Sequence, residues 1–316
     1  KPVEYWNVFV ILQTQKQEKF KVKLIEKDGN KVEIKNRQEA ETVVNDLRNQ
    51  SYVVSEVIKK ERKRRPLPPF ITSTLQQDAA RKLHFTALKT MKIAQQLYEG
   101  INVKGEGQVG LITYMRTDSL RVSNEAQTEA LKYIRQNYGE RYAPERPNFY
   151  KSKKSAQDAH EAIRPTSAFR TPEKVKDSLD NDQYKLYSLI WKRFVASQMT
   201  PAVFDDTKIK VSAGPYMLSA TGSVLKFDGF LRVYEIYSEI NKPTDNESTD
   251  NGNEKEDAEE NQQLPDVFQG DKLDMIDVSS EQKFTQPPPL YNDATLVKAL
   301  EEKDIGRPST YAPIIA

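Results

Sequence analysis

Gly110-Leu-Ile-Thr-Tyr114-Met-Arg116-Thr-Asp118-Ser119 sets the terms for the whole chain. Its first half is a short apolar run that predicts a strand over 109–114, ending in a tyrosine. Arg116 stands two residues further on, and Thr117, Asp118 and Ser119 follow as a polar cap signal. A phenol and a guanidinium are thereby placed at the exposed end of a rigid element. Free phenol ionises near about 10 and is a poor nucleophile at neutral pH. A fixed cation beside it favours the phenolate and can also clamp a phosphate oxygen. The chemistry suggested is attack by Tyr114 on a phosphodiester. Spacing alone is a weak signal, because the chain has 15 tyrosines and a strand tyrosine is usually a half-buried sheet residue with its hydroxyl satisfied.

Outward from this segment the pattern changes twice. Residues 74–199 carry helical periodicity. Leu75, Ala79 and Leu83 share one face, and Thr86 caps a second helix whose apolar positions are Leu88, Met91 and Leu97 or Tyr98, with Gly100 as its stop. Ser123 caps a further helix that ends at Gly139, and Tyr187, Ile190, Trp191, Phe194 and Val195 form the stripe of the helix that closes the region. Residues 1–65 read as a small α/β unit: strands over 5–12 and 19–34, the latter broken by the hairpin signal Asp28-Gly29-Asn30, then a helix over 37–48 and a strand over 52–58. The basic run 59–65 leads into Pro66, Pro68 and Pro69 and is read as a solvated linker. Strand character returns over 201–240 and 267–284, and a helix is expected near 293–303.

Composition bounds the class. At 316 residues two or three domains are expected. Charged residues make up 30% and no apolar run approaches the roughly 20 residues of a membrane span, so no membrane partner is expected. With no cysteine the chain has neither disulfides nor thiolate metal ligands. The net charge of +2 hides an asymmetry: residues 245–260 hold eight acidic side chains against Lys255 alone. That tract, 241–263, is expected to be a disordered acidic loop, and the remainder is distinctly basic, as a phosphate-binding surface requires. The sequence breaks off at Ala316 inside a predicted helix, and the chain is read as a fragment.

The Tyr114 segment resembles the active-site tyrosine motif of type IA DNA topoisomerases. Three further segments resemble the same family in the same order: Leu67-Pro-Pro-Phe-Ile-Thr-Ser-Thr74-Leu-Gln-Gln77, Ala159-His160-Glu161-Ala162-Ile163-Arg164-Pro165-Thr166, and Ile305-Gly306-Arg307-Pro308-Ser309-Thr310-Tyr311. Met115 and Arg164 point to the bacterial topoisomerase I branch. The resemblance implies an α+β multidomain fold. A β-rich arch domain (1–73 and 200–289) would receive an inserted, mainly helical, winged-helix-like domain (74–199) carrying the tyrosine, followed by part of a single-stranded-DNA-binding domain (290–316). It implies ATP-independent relaxation of negatively supercoiled DNA through a 5′-phosphotyrosyl link to Tyr114. Arg116 would stabilise charge on the phosphoryl oxygens and His160 would hydrogen-bond the scissile phosphate. Asp118 would orient Arg116 or cap the next turn, and Glu161 would orient His160. Thr117 and Arg164 would support the site, and Arg307, Ser309 and Thr310 would contact DNA. A bacterial cytoplasmic, nucleoid-associated monomer is the implied setting. The family's Mg²⁺ site uses alternating acidic residues in a domain with no counterpart here, so no metal ligand is expected in this chain and the fragment alone is expected to be inactive. A rival remains on the residues themselves: a non-catalytic winged-helix-type DNA-binding module in which Tyr114 and Arg116 merely touch phosphate.

Overall fold

Alternating burial marks the first strands. In β1 (Glu4–Gln13) Val8, Val10 and Leu12 are buried, and in β2 (Lys19–Lys27) Phe20, Val22 and Leu24, so each strand gives one face to a core. The computed structural model describes residues 2–152, 160–234 and 262–315. The Asp28-Gly29 turn folds β3 (Asn30–Lys31) back on β2, and α1 (Arg37–Arg48) follows, capped by Asn36, whose side chain accepts from Glu39 N at 2.9 Å. The sheet is completed by β4 (Tyr52–Arg64) and, later in the chain, by three more long strands: β7 (Ala202–Ala213), β8 (Tyr216–Phe227) and β9 (Lys272–Phe284). Strand order is β1-β9-β4-β7-β8-β2-β3, and β1 also pairs with β2, so the sheet closes on itself. A closed sheet has no free edge to template aggregation. The inward residues, among them Val54, Ile209, Val211 and Leu218, pack with Ala40, Val44 and Leu47 of α1.

One reading is corrected here. Residues 59–64 are not linker; they continue β4 to Arg64. Arg62 is held by Asp206 and Ser223, with its guanidinium 4.6 Å above the Phe204 ring. That partnership with β7 and β8 has no local signature. The acidic tract lies outside the described residues except for Gln262 and Gln263. Of these, Gln262 exchanges two hydrogen bonds with the Lys21 backbone, at 3.0 and 2.7 Å.

By contacts the chain divides into two compact units. One is the sheet unit just described (1–63, 203–227 and 236–289); the other comprises 64–202, 228–235 and 290–316. The second unit is helical. It contains α2 (Thr72–Leu83), α3 (Ala87–Glu99), the small hairpin β5 (Ile101–Val103) and β6 (Gly107–Val109), α4 (Asn124–Tyr138), α5 (Pro172–Val175), α6 (Asn181–Ser197), α7 (Asp293–Glu302) and α8 (Tyr311–Ile315). Thr86, Ser123 and Asp180 cap α3, α4 and α6 through their side-chain oxygens. The α6 stripe is core: Tyr187, Ile190, Phe194 and Val195 are buried, and Trp191 Nε1 donates to the Ala168 carbonyl at 3.0 Å. Arg193 hides within that stripe. Its Nε donates to the Pro68 carbonyl at 2.6 Å, and its guanidinium faces the Phe70 and Tyr234 rings. Leu88, expected inward on α3, is 51% exposed; Met91, Ala94 and Leu97 face the core instead.

Candidate active site

Residues 110–119 do not form the expected strand. β6 stops at Val109, and the chain beyond it is held by point contacts. Gly110 lets it press on the end of α3, because a Cβ there would lie 2.9 Å from the Tyr98 carbonyl oxygen. Leu111 N donates to Leu97 O at 2.8 Å, and Leu111 and Ile112 are buried. On one side the 162–166 segment runs alongside. Thr113 N donates to Arg164 O (2.9 Å), Thr113 Oγ1 to Ala162 O (2.7 Å), and Thr166 N to Leu111 O (3.0 Å). On the other side Thr72, fully buried at the start of α2, donates through Oγ1 to Met115 O (2.8 Å) and accepts from Thr117 N (2.9 Å). Tyr114 therefore sits between two anchors, one residue from each.

That anchoring fixes the ring. Tyr114 is half-buried, edge-on to Tyr98 at 5.4 Å between centroids and tilted against the His160 imidazole at 5.0 Å. Both spacings lie in the range of favourable aromatic contact. Its hydroxyl makes no hydrogen bond among the described residues, so the oxygen is available to an incoming group. Arg116 is exposed, and its guanidinium likewise has no hydrogen bond or ion pair there. Arg116 forms no ion pair with Asp118 or Glu161. Glu161 instead accepts from Arg164 Nε at 2.7 Å and from Ser123 N at 3.4 Å. Arg164 is thus committed to positioning Glu161, and Thr117, buried, accepts from Ser119 N through its hydroxyl at 3.0 Å.

The family model for DNA topoisomerase matches residues 1–316. The chain belongs to the DNA topoisomerase family. Among solved structures, full-length topoisomerase I from Thermotoga maritima is 35% identical with a TM-score of 0.78, over 100% of this chain and 46% of that one. The chain therefore spans less than half the length of that topoisomerase.

The remaining expected residues lie apart from the ring pair. Arg307, Ser309 and Thr310 are exposed in the turn before α8, where Thr310 Oγ1 accepts from Arg307 N at 2.7 Å. No hydrogen bond or ion pair is recorded between these three and the Tyr114 segment. The next residue, Tyr311, does sense it. Burial pushes its phenol up, the Glu301 carboxylate adds to that, Arg307 opposes it, and Asp118 makes a smaller contribution upward. Among the described residues no three carboxylate or imidazole groups converge as a metal site. No helix of the described residues is long and apolar enough to cross a membrane. Two contributors escaped the sequence reading. Tyr98 was considered only as a core position, and Thr72 carried no signal beyond helix initiation.

Proposed function

We propose that this chain carries the nucleophile side of a type IA topoisomerase active site. The Tyr114 oxygen attacks the phosphorus of a phosphodiester in single-stranded DNA. A bond forms between that oxygen and phosphorus, the bond to the 3′ oxygen breaks, the phenol gives up its proton, and the leaving oxygen ends as a 3′-hydroxyl. The phosphate-bond energy is kept in the 5′-phosphotyrosyl link, so religation by the 3′-hydroxyl needs no nucleotide. Arg116 stabilises charge on the phosphoryl oxygens, a type of donor whose loss commonly raises a barrier by about 3 kcal/mol. His160 keeps the Tyr114 ring in place and offers an N–H to the phosphate. Glu161 acts as a positioning group through its bonds to Arg164 and the start of α4.

The observation that carries this reading is the free hydroxyl of an otherwise immobilised Tyr114, packed on His160 and two residues from an unpaired Arg116. In the wider proposal the sheet unit belongs to the arch and the helical unit is the tyrosine-bearing domain. Residues 290–316 begin a single-strand-binding region, and negatively supercoiled DNA is the substrate of a cytoplasmic monomer. Mg²⁺ use is assigned to parts of the whole protein outside this chain, so no step here runs through a metal and this chain alone should not relax supercoils. Tyr114→Phe in the full-length protein should abolish covalent DNA capture and leave non-covalent binding largely intact. Capture that survives the substitution would favour the binding-module alternative for this segment.

A further inference from the structure

Beyond the tyrosine, the helical unit contains a cleft of about 730 Å³ walled by residues 120–127 and 148–152. One wall is the segment leading into α4 and its first turn. The other, 148–152, has no regular secondary structure and is pinned at alternate residues. Asn148 Nδ2 donates to Ser197 O and Met199 O, both at 2.9 Å, and the Tyr150 hydroxyl donates to Ser197 O at 2.8 Å. With Asn148 and Tyr150 anchored on either side of it, Phe149 is left 75% exposed. An aromatic ring held in the open by fixed neighbours is unlike a scattered surface apolar residue, because its presentation is built into the backbone.

The surrounding charges suit a polyanion. Arg121 and Lys151 are exposed on opposite walls, and neither side chain has a hydrogen bond or ion pair among the described residues. Glu125 is the opposing charge on the lining. The first-turn N–H groups of Asn124 and Glu125 have no partner within the helix, as at any helix start, and Ser123 caps only Ala126 N, at 3.3 Å. Deeper in, Gln127 is 2% exposed; its Nε2 donates to Asn148 O at 3.1 Å, which leaves Oε1 as an acceptor with no donor. The cleft is joined to the tyrosine through a short path. His160 packs on Tyr114, and the adjacent Glu161 accepts from Ser123 N where α4 begins.

We propose that this cleft is a second subsite for single-stranded DNA. A base stacks on Phe149, and the flanking phosphates meet Arg121, Lys151 and the start of α4. This inference rests on the DNA-processing reading above, but it concerns grip on the strand rather than chemistry. Stacking on an aromatic side chain is tolerant of sequence and is the common device for holding single strands.

The test uses this chain carrying Tyr114→Phe, so that covalent chemistry plays no part, and a short fluorescein-labelled oligothymidylate followed by anisotropy. Phe149→Ala should weaken binding about tenfold, within the range of base–aromatic stacking, and Phe149→Trp should restore it. Arg121→Gln and Lys151→Gln should each lower the slope of log affinity against log salt by about 0.7, the value for one phosphate contact on a single strand. Each variant should melt with the parent, since all three side chains are exposed. Unchanged affinity and slope in well-folded variants, or no oligonucleotide binding by the chain at all, would overturn the subsite. Failure to map an adduct to Tyr114 in the full-length protein would instead sink the catalytic reading and leave this result standing.

Discussion

Thr72→Val should loosen the tyrosine segment without touching any group that meets DNA. The substitution keeps shape and removes one hydroxyl at a position with no solvent exposure. That hydroxyl is the only recorded acceptor for Thr117 N (2.9 Å) and the donor to Met115 O (2.8 Å), while Thr117 O keeps a second bond from Thr72 N at 2.9 Å. Two groups in a buried stretch, Met115 and Thr117 being 0% and 2% exposed, are left unpaired. Each orphaned group costs about 1–3 kcal/mol, and partial relaxation brings the sum to about 2–4 kcal/mol. For a domain of this size that corresponds to a fall in Tm of roughly 5–12 °C. Thr72→Ser keeps the bonds and loses one buried methyl, a cost of about 0.5–1.5 kcal/mol. Scanning calorimetry of both variants, with hydrogen exchange at the Thr117 amide, gives the comparison. A Val variant that melts with the Ser variant and protects Thr117 equally well would refute the idea that Thr72 holds the site.

Two other consequences follow from buried groups. Arg193→Met removes the donor to Pro68 O and one of the cations near Asp78. Breaking a buried pair costs about 3–5 kcal/mol when the partner is stranded. Asp78 keeps Lys82 at 3.6 Å and the Tyr234 hydroxyl, so a loss of about 2–3 kcal/mol is expected by chemical denaturation, with faster exchange over 66–70; a loss under about 1 kcal/mol would contradict it. Stability should also fall at alkaline pH. Burial holds the Tyr52 phenol, and burial followed by Tyr138 and Glu173 the Tyr133 phenol, at about 12, above the ordinary phenol value of about 10. Above the unfolded value the unfolded chain binds fewer protons than the folded one, so stability drops as pH rises from about 10 to about 12. Melting temperature and tyrosinate absorbance followed together check this, and tyrosinate appearing at its ordinary pH with no loss of stability would refute it.

Much of this was legible in sequence where the signal is local. Caps at Thr86 and Ser123, the turn at Asp28-Gly29 and the strands β1 and β2 each depend on a few adjacent residues. What was illegible depends on distant partners. Residues 59–64 look like linker because the Asp206 and Ser223 that hold Arg62 are supplied by later strands. Residues 110–114 have the composition of a strand, yet no neighbour supplies a continuous ladder, and side-chain hydroxyls of Thr72 and Thr113 take its place. The candidate site divides in the same way. Tyr114 and Arg116 could be read from one short segment, whereas the stacking of His160 and Tyr98 on the ring is a product of the fold. Arg193 was concealed because a buried cation inside an apolar stripe breaks the pattern by only one position.

The most direct test of the central claim is to trap the full-length protein on end-labelled single-stranded DNA, digest it, and map the attached nucleotide by mass spectrometry. The account predicts one modified peptide, modified at Tyr114, joined through a 5′ phosphate, with a free 3′-hydroxyl on the released strand. An adduct on another tyrosine, or a 3′-phosphate linkage, would contradict it.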